Sequence, residues 1–175
     1  MQSGVSVPET YVATLKSGIA RSVSGKSTGI LLNFCSPDYA RKLVQDISTR
    51  NNHQKLDYAC YLKVFYSRDK AAADRLLIEE FAKYDSIGPY HKMFEKDKVA
   101  MDINIAKESL KGERPTVPAS LLAISPSNPS ENELRDYVDG FRKAGITLPC
   151  VYPYFSNSDD LSFREQTIRQ IASSI

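Results

Sequence analysis

Tryptophan is absent from this sequence, and histidine and cysteine are scarce, with two and three residues among 175. Cys35, Cys60 and Cys150 are odd in number and widely spaced, so we expect neither a disulfide framework nor a C-x-x-C metal motif. The two histidines, His53 and His91, lack metal-ligand spacing to each other or to a cysteine. The sequence therefore predicts buried free thiols, no metal and no cofactor.

Long apolar runs and a surplus of one charge are also lacking. No stretch approaches the roughly 20 apolar residues that cross a bilayer, and no N-terminal apolar segment resembles a signal peptide. We therefore expect a cytoplasmic protein without a membrane span. The 23 basic and 21 acidic side chains leave a net charge of only +2. A duplex-DNA binder usually has a much larger basic excess, so nucleic acid is not an expected partner.

What the sequence does contain is typical of one globular domain. Hydrophobic residues make up 42% and charged residues 25% of the chain, which is close to the average for such proteins. The first 28 residues are rich in serine, and Lys16, Arg21 and Lys26 outnumber the single acid, Glu9. We interpret residues 1–28 as an N-terminal arm, which needs a surface to lie on. Residues 29–175 are interpreted as a single α/β domain.

Apolar runs of strand length alternate with helix-like segments along that domain. Strands are predicted at 29–35, 57–66, 119–125 and 147–155, and helices at 37–49, 70–84, 131–144 and 161–175. This alternation predicts a four- or five-stranded, mostly parallel sheet with helices on both faces. Pro153 cannot donate a backbone hydrogen bond, so the last strand is expected at an edge.

The segment 99–105 is ambiguous. Its apolar residues alternate with small or polar ones, which is the pattern of a half-buried strand, although its composition also suits a helix. A fifth strand here could pair antiparallel with its neighbours. The alternative fold is therefore α+β with a mixed sheet.

Small polar residues follow the predicted strands. In a parallel sheet such positions lie along one edge, where helix N-termini offer free N–H groups to a ligand. The expected ligand is a small phosphorylated molecule, although these residues could simply cap helices. The candidate ligand-binding residues are Ser36, Ser67, Arg68, Ser125, Ser127 and Ser156.

A Cys-x5-Arg spacing, Cys35 to Arg41, directly follows the first of these strands. It resembles the signature loop of cysteine-dependent phosphatases. The resemblance covers seven residues and implies a nucleophilic thiolate at Cys35, an oxygen clamp at Arg41 and a general acid at Asp159. The alternative is a buried cysteine beside an ordinary capped helix.

Tyrosine is plentiful, with ten residues, and Tyr152 and Tyr154 share one face of the predicted edge strand. Exposed tyrosines on an edge strand favour contact with another chain. Since no complete catalytic set is apparent, we predict a non-enzymatic interaction or assembly subunit. It would bind a protein partner or a second copy through these tyrosines and through Lys16, Arg21 and Lys26. The alternative is a small enzyme or binder for phosphorylated ligands.

Overall fold

The computed structural model describes residues 9–49 and 56–175, and it contains one four-stranded sheet. The strands lie in the order β1-β2-β3-β4, and every neighbouring pair is parallel. The predicted single-domain α/β fold with a parallel sheet is therefore confirmed. The strands are β1 (Tyr11–Ala13), β2 (Gly29–Asn33), β3 (Asp57–Tyr66) and β4 (Leu148–Phe155).

Helices cover the sheet on both faces. Tyr58 and Lys63 are an odd number of residues apart on β3, so their side chains point to opposite faces. The hydroxyl of Tyr58 lies 3.3 Å from that of Ser48 on α2, whereas Lys63 pairs with Glu80 on α3. The helices are α1 (Ser17–Val23), α2 (Pro37–Ser48), α3 (Lys70–Asp85), α4 (Gly88–Lys96), α5 (Ala100–Ser109), α6 (Ala119–Ile124), α7 (Glu131–Lys143) and α8 (Leu161–Ser174).

Side-chain caps start four of these helices where the sequence predicts them. The hydroxyl or carboxylate of each cap accepts a hydrogen bond from a backbone N–H in the first turn. Ser130 and Glu133 complete the capping box of α7. The capping residues are Ser36, Asp69, Ser130 and Asp160.

The predicted strand at 99–105 is wrong, because α5 begins at Ala100 and Val99 is its N-cap. Ile103 and Ala106 on α5 are completely buried, whereas Met101 is 74% and Ile105 is 54% exposed. The buried positions, which include Val99, follow the three- and four-residue spacing of a helix. Two apolar residues of the apparent strand pattern, Met101 and Ile105, are therefore exposed to solvent. Since this segment is a helix, the fifth strand on which the mixed-sheet alternative depends is not formed there.

The predicted strand at 119–125 is also wrong, because residues 119–124 form α6. A short apolar run does not distinguish a buried strand from a buried helix. Pro118 occupies the N-cap position, and Leu121 and Ile124, three residues apart, face the core. The chain becomes extended again at Ser125 and forms an isolated parallel bridge between Ser127 and Phe65.

The N-terminal segment contributes to the sheet. Residues 1–8 of the predicted arm lie outside the described residues, and β1 pairs in parallel with β2. Gly29 permits this pairing, because a Cβ there would lie 2.5 Å from Cε1 of Tyr11 and 2.7 Å from the carbonyl oxygen of Asp57. The described part of the arm thus supplies the first strand and the first helix.

The last strand, β4, lies at the opposite edge, as Pro153 predicts. Tyr152 on this strand is 52% exposed and Tyr61 on β3 is 42% exposed, and their ring centroids lie 6.1 Å apart. Part of one sheet face is therefore open. Within residues 9–49 and 56–175, none of the helices has the length and apolar character of a membrane span.

Candidate ligand-binding site at the carboxyl ends of the strands

Because all four strands are parallel, the turns that follow them lie along one edge of the sheet. The predicted polar residues after β3 and β4 do meet there. The hydroxyl of Ser67 donates to Asp159 over 3.2 Å, and the backbone N–H of Arg68 donates to the same carboxylate oxygen over 3.2 Å. Asn128 accepts from the Ser67 N–H over 3.0 Å and donates to its carbonyl over 2.8 Å.

The other four predicted ligand-binding hydroxyls already form hydrogen bonds within the protein. Ser125 is buried and donates to the Lys63 carbonyl, while Ser127 donates to Asp74 over 2.6 Å. Ser156 lies 2.8 Å from the Ser158 hydroxyl. Ser36, at the end of β2, caps α2 and donates to Asp97 over 2.6 Å. These contacts stabilise the loops themselves.

A cavity that we name the basic groove opens beside the carboxyl ends of β1 and β2. It has a volume of about 770 Å³ and lies between α1, α2 and α4. Leu15, Ile19, Leu43 and Met93 provide apolar wall, together with Tyr39. Its charged side chains are Lys16, Lys42, Lys92, Lys96, Asp46 and Asp97.

Helical spacing places the charges of the basic groove. Tyr39, Lys42, Leu43 and Asp46 are three and four residues apart and share one face of α2. The same spacing brings Pro89, Lys92, Met93 and Lys96 onto one face of α4. Each helix therefore presents apolar and cationic side chains to the same cavity.

Positive charge dominates the basic groove. Its four lysines are exposed, and none forms an ion pair with a carboxylate of the described residues. Asp46 is paired with Arg21 over 3.1 Å. Burial raises the pKa of Asp97, although the hydrogen bond from Ser36 and the charge of Lys42 act in the opposite direction. An anionic ligand would thus meet a net positive cavity.

The basic groove continues toward the open face of the sheet. A neighbouring cavity of about 360 Å³ shares Leu15, Lys16, Ile19 and Pro89 with it. Leu31, Asn33 and Tyr90 also line this second cavity. The Asn33 amide donates to the hydroxyls of Tyr84 and Tyr90 over 3.1 and 3.0 Å, which fixes the amide at the end of β2.

The structure does not assemble the predicted Cys-x5-Arg catalytic set. Cys35 is 1% exposed, and its Sγ lies 4.0 Å from that of Cys60. The contact between the Cys60 and Cys35 thiols, together with burial, raises the pKa of Cys60. Arg41 is exposed and pairs with Asp38, and Asp159 holds the β3 and β4 turns together.

The residues predicted to bind a partner have separate locations. Lys16 lines the basic groove, Arg21 pairs with Asp46, and Lys26 is exposed in the turn after α1. Tyr152 is exposed on β4, whereas the Tyr154 hydroxyl donates to Glu80 over 3.1 Å. These five side chains do not form one surface.

Sequence reasoning missed Lys42, Lys92 and Lys96. Lys92 and Lys96 lie on α4, a helix that was not predicted from the sequence. A signal was nevertheless present, because Lys92 and Lys96 are four residues apart, as are Tyr39 and Leu43, which flank Lys42. The meeting of α2 and α4 around the groove depends on tertiary packing.

No family model and no curated protein matches this sequence, but solved structures share its fold. An "F420-dependent secondary alcohol dehydrogenase in complex with an F420-acetone adduct" has a TM-score of 0.66 and 12% identity over 97% of this chain. The coenzyme F420 dependent tetrahydromethanopterin reductase of Methanopyrus kandleri has a TM-score of 0.60 and 16% identity over 94% of it. Apo-MsnO8 has a TM-score of 0.53 and 12% identity over 99% of it.

These neighbours belong to the luciferase-like, TIM-barrel type of α/β fold. This chain spans only 49%, 49% and 52% of their respective lengths. Its four strands are half the number in an eight-stranded barrel. At sequence identities of 12% to 16%, the structural similarity establishes the shared fold and nothing more.

The comparisons correct the predicted function. The F420-dependent dehydrogenase and reductase are oxidoreductases, so the interpretation as a non-enzymatic assembly subunit is wrong. The alternative, a phosphatase-like enzyme or binder of phosphorylated ligands, is also wrong, and the buried Cys35 thiol agrees with this correction.

Proposed function

We propose that this chain is a cofactor-binding unit of an oxidoreductase, and that a flat, negatively charged redox cofactor of the F420 class binds in the basic groove. The observation that carries this proposal is the position of the groove. It lies at the carboxyl ends of β1 and β2 in a fold shared with two F420-dependent enzymes. In barrels of this type the active site lies at that end of the strands.

The residues of the groove fit such a cofactor in size and in charge. Cofactor sites usually have volumes of roughly 300–1,000 Å³, and the groove has about 770 Å³. Its apolar side chains suit a ring system, and its lysines suit an anionic tail. The cytoplasmic location predicted from the sequence remains part of this proposal.

Each wall of the groove would have a distinct task. Lys42 on α2 and Lys92 on α4 would hold the anionic tail from two sides. Leu15, Ile19 and Met93 would exclude water from the ring system. A bound cofactor of this class supplies hydride transfer. This chain matches only about half the length of each neighbour. The proposal therefore concerns cofactor binding, which can be tested directly on this chain.

The test is a fluorescence titration of F420 with the full chain at low salt, with FMN as a second ligand. We expect F420 to bind, and to bind about tenfold more weakly to the double variant Lys42→Ala, Lys92→Ala. Raising the salt concentration should reduce this difference, because exposed charges are screened.

Lys107→Ala is the matched control, since Lys107 is exposed on α5 and does not line the groove. It should bind F420 as the unaltered chain does. Binding of FMN but not F420 would show that the cofactor class is wrong. Equal F420 affinity in the double variant and the Lys107 control would show that the groove is not the site.

A further inference from the structure

A second cavity lies at the carboxyl end of β3, between α7 and α8. We name it the Tyr66 pocket. It has a volume of about 310 Å³ and shares no lining residue with the basic groove. Its lining includes Tyr66, Arg68, Glu131, Leu134, Phe163, Thr167, Gln170 and Ile171.

Two hydroxyl groups in this pocket have no hydrogen-bond partner among residues 9–49 and 56–175. Tyr66 is 8% exposed and Thr167 is 6% exposed. Neither side chain makes a hydrogen bond to the rest of the chain within the described residues. Burial raises the pKa of Tyr66 to about 12, so its hydroxyl keeps its proton at neutral pH. Neither hydroxyl oxygen is enclosed, and both side chains line the pocket, so each hydroxyl can donate a hydrogen bond to a molecule bound there.

The charged groups at the rim of the pocket are already engaged. Arg68 contacts Asp160 over 3.1 Å, and the Gln170 amide donates to Glu131 over 3.3 Å. Glu131 keeps its negative charge, because the Gln170 amide is neutral, but Arg68 and Glu131 are both exposed, where an ionic contact contributes little. The lining of the pocket therefore offers no buried charge to an ionic ligand. The inner wall is apolar, because Leu134 and Ile171 are buried there and Phe163 is partly buried.

We propose that the Tyr66 pocket binds a small, uncharged organic molecule that carries a hydroxyl or carbonyl oxygen on a compact apolar skeleton. The oxygen accepts hydrogen bonds from the Tyr66 and Thr167 hydroxyls. The skeleton packs on Leu134, Phe163 and Ile171. This site goes beyond the cofactor proposed for the basic groove and does not depend on it.

Four probes with the same ring separate the chemistry: cyclohexanone, cyclohexanol, cyclohexanecarboxylate and cyclohexylammonium. Their dissociation constants are measured with the full chain by ligand-observed NMR at neutral pH. We expect the ketone and the alcohol to bind more tightly than either charged probe. Binding of none of them, or preferential binding of a charged probe, would overturn the proposal.

Two conservative variants locate the binding. Tyr66→Phe keeps the ring that stacks on Phe155, with centroids 6.1 Å apart, and Thr167→Val keeps the shape of the side chain. Each should weaken cyclohexanone binding by about three- to tenfold, the value of one hydrogen bond. Tyr152→Phe, which removes an exposed hydroxyl elsewhere, should leave binding unchanged. If both pocket variants bind cyclohexanone like the unaltered chain, the site is wrong. If one of these two variants does not fold, the other alone tests the location of the site.

Discussion

The ammonium group of Lys63 on β3 is paired with the carboxylate of Glu80 on α3, and the two side chains are only 4% and 11% exposed. Three aromatic rings surround the ammonium. Its Nζ lies 4.0 Å from the ring centroid of Tyr84, 4.8 Å from that of Phe34 and 5.1 Å from that of Tyr154. The ion pair therefore connects β3, on the partly open face of the sheet, to α3, which covers part of that face.

We expect Glu80→Ala to lower the free energy of unfolding by about 3–5 kcal/mol, because it leaves the Lys63 charge buried without its partner. Urea unfolding followed by circular dichroism measures the change. Lys83→Ala is the matched control, since Lys83 lies 3.8 Å from the same carboxylate but is 69% exposed. That substitution should cost no more than about 1 kcal/mol. Equal costs for the two variants would contradict a structural role for the buried pair.

The same pair predicts a loss of stability in alkali. Burial disfavours the Lys63 ammonium, but its hydrogen bonds to Glu80, Tyr84 and Tyr154 outweigh burial and raise its pKa above the ordinary 10.5. A group whose pKa is raised by folding stabilises the protein fully below its unfolded pKa, and this stabilisation disappears as the pH rises through the folded pKa. The double variant Lys63→Met, Glu80→Leu should therefore lose less stability above pH 10.5 than the unaltered chain. Parallel losses in urea melts would refute this.

Gly145, directly after α7, adopts a backbone φ of +95°, which side chains with a Cβ rarely adopt. A Cβ there would also lie 2.9 Å from Cγ1 of Val44 on α2. Gly145→Ala should therefore destabilise the protein by at least about 1 kcal/mol. Gly88→Ala provides the control, because nothing lies within 4 Å of a Cβ at Gly88. Thermal unfolding should show a lower Tm for the first variant alone, and a similar Tm for both would contradict the strain.

Much of the fold could be predicted from local chemistry. β3 extends from Asp57 to Tyr66 as the sequence indicates, and the Ser130–Glu133 capping box starts α7 where expected. Both signals depend on residues close together in the chain. The helices at 100–109 and 119–124 were missed, since short apolar runs suit either state and tertiary packing selects one.

The sites could be predicted only in part. The contact between Ser67 and Asp159, 92 residues apart, follows from parallel strands that place their carboxyl ends together. The basic groove does not follow in this way. It requires Lys42 and Lys92 to meet across two helices, and the position of α4 depends on packing that no local pattern encodes.

Thiol labelling distinguishes the three cysteines. Cys35 and Cys60 are 1% and 0% exposed, whereas Cys150 on β4 is partly exposed. Burial raises the pKa of Cys150, so only a small fraction of its thiol is ionised at neutral pH and its reaction is slow. A thiol reagent should therefore modify one group slowly in the folded protein and all three in denaturant. Cys150→Ser should abolish the native reaction. Rapid labelling of that variant would show that Cys35 or Cys60 is accessible.

Asp97 offers a test that joins stability to ligand binding in the basic groove. Burial raises its pKa above the ordinary value of 3.8, so folding favours the neutral carboxyl. Stability from the neutral form is complete below pH 3.8 and is lost as the pH rises through the folded pKa. At pH 7 the ionised form is therefore the costly one, and Asp97→Asn should raise the free energy of unfolding there but not below pH 3.8.

The same substitution removes a negative charge from the wall of the groove. An anionic cofactor should then bind several-fold more tightly at low salt, because one repulsive contact is lost. Asp136→Asn is the control, since Asp136 is exposed on α7 and does not line the groove. Urea melts at pH 7 and pH 3.5, together with the F420 titration, measure both effects. A gain in stability without a gain in affinity would show that Asp97 affects stability but does not act on the ligand. Equal affinities for the Asp97→Asn and Asp136→Asn variants would count against an anionic ligand in this groove.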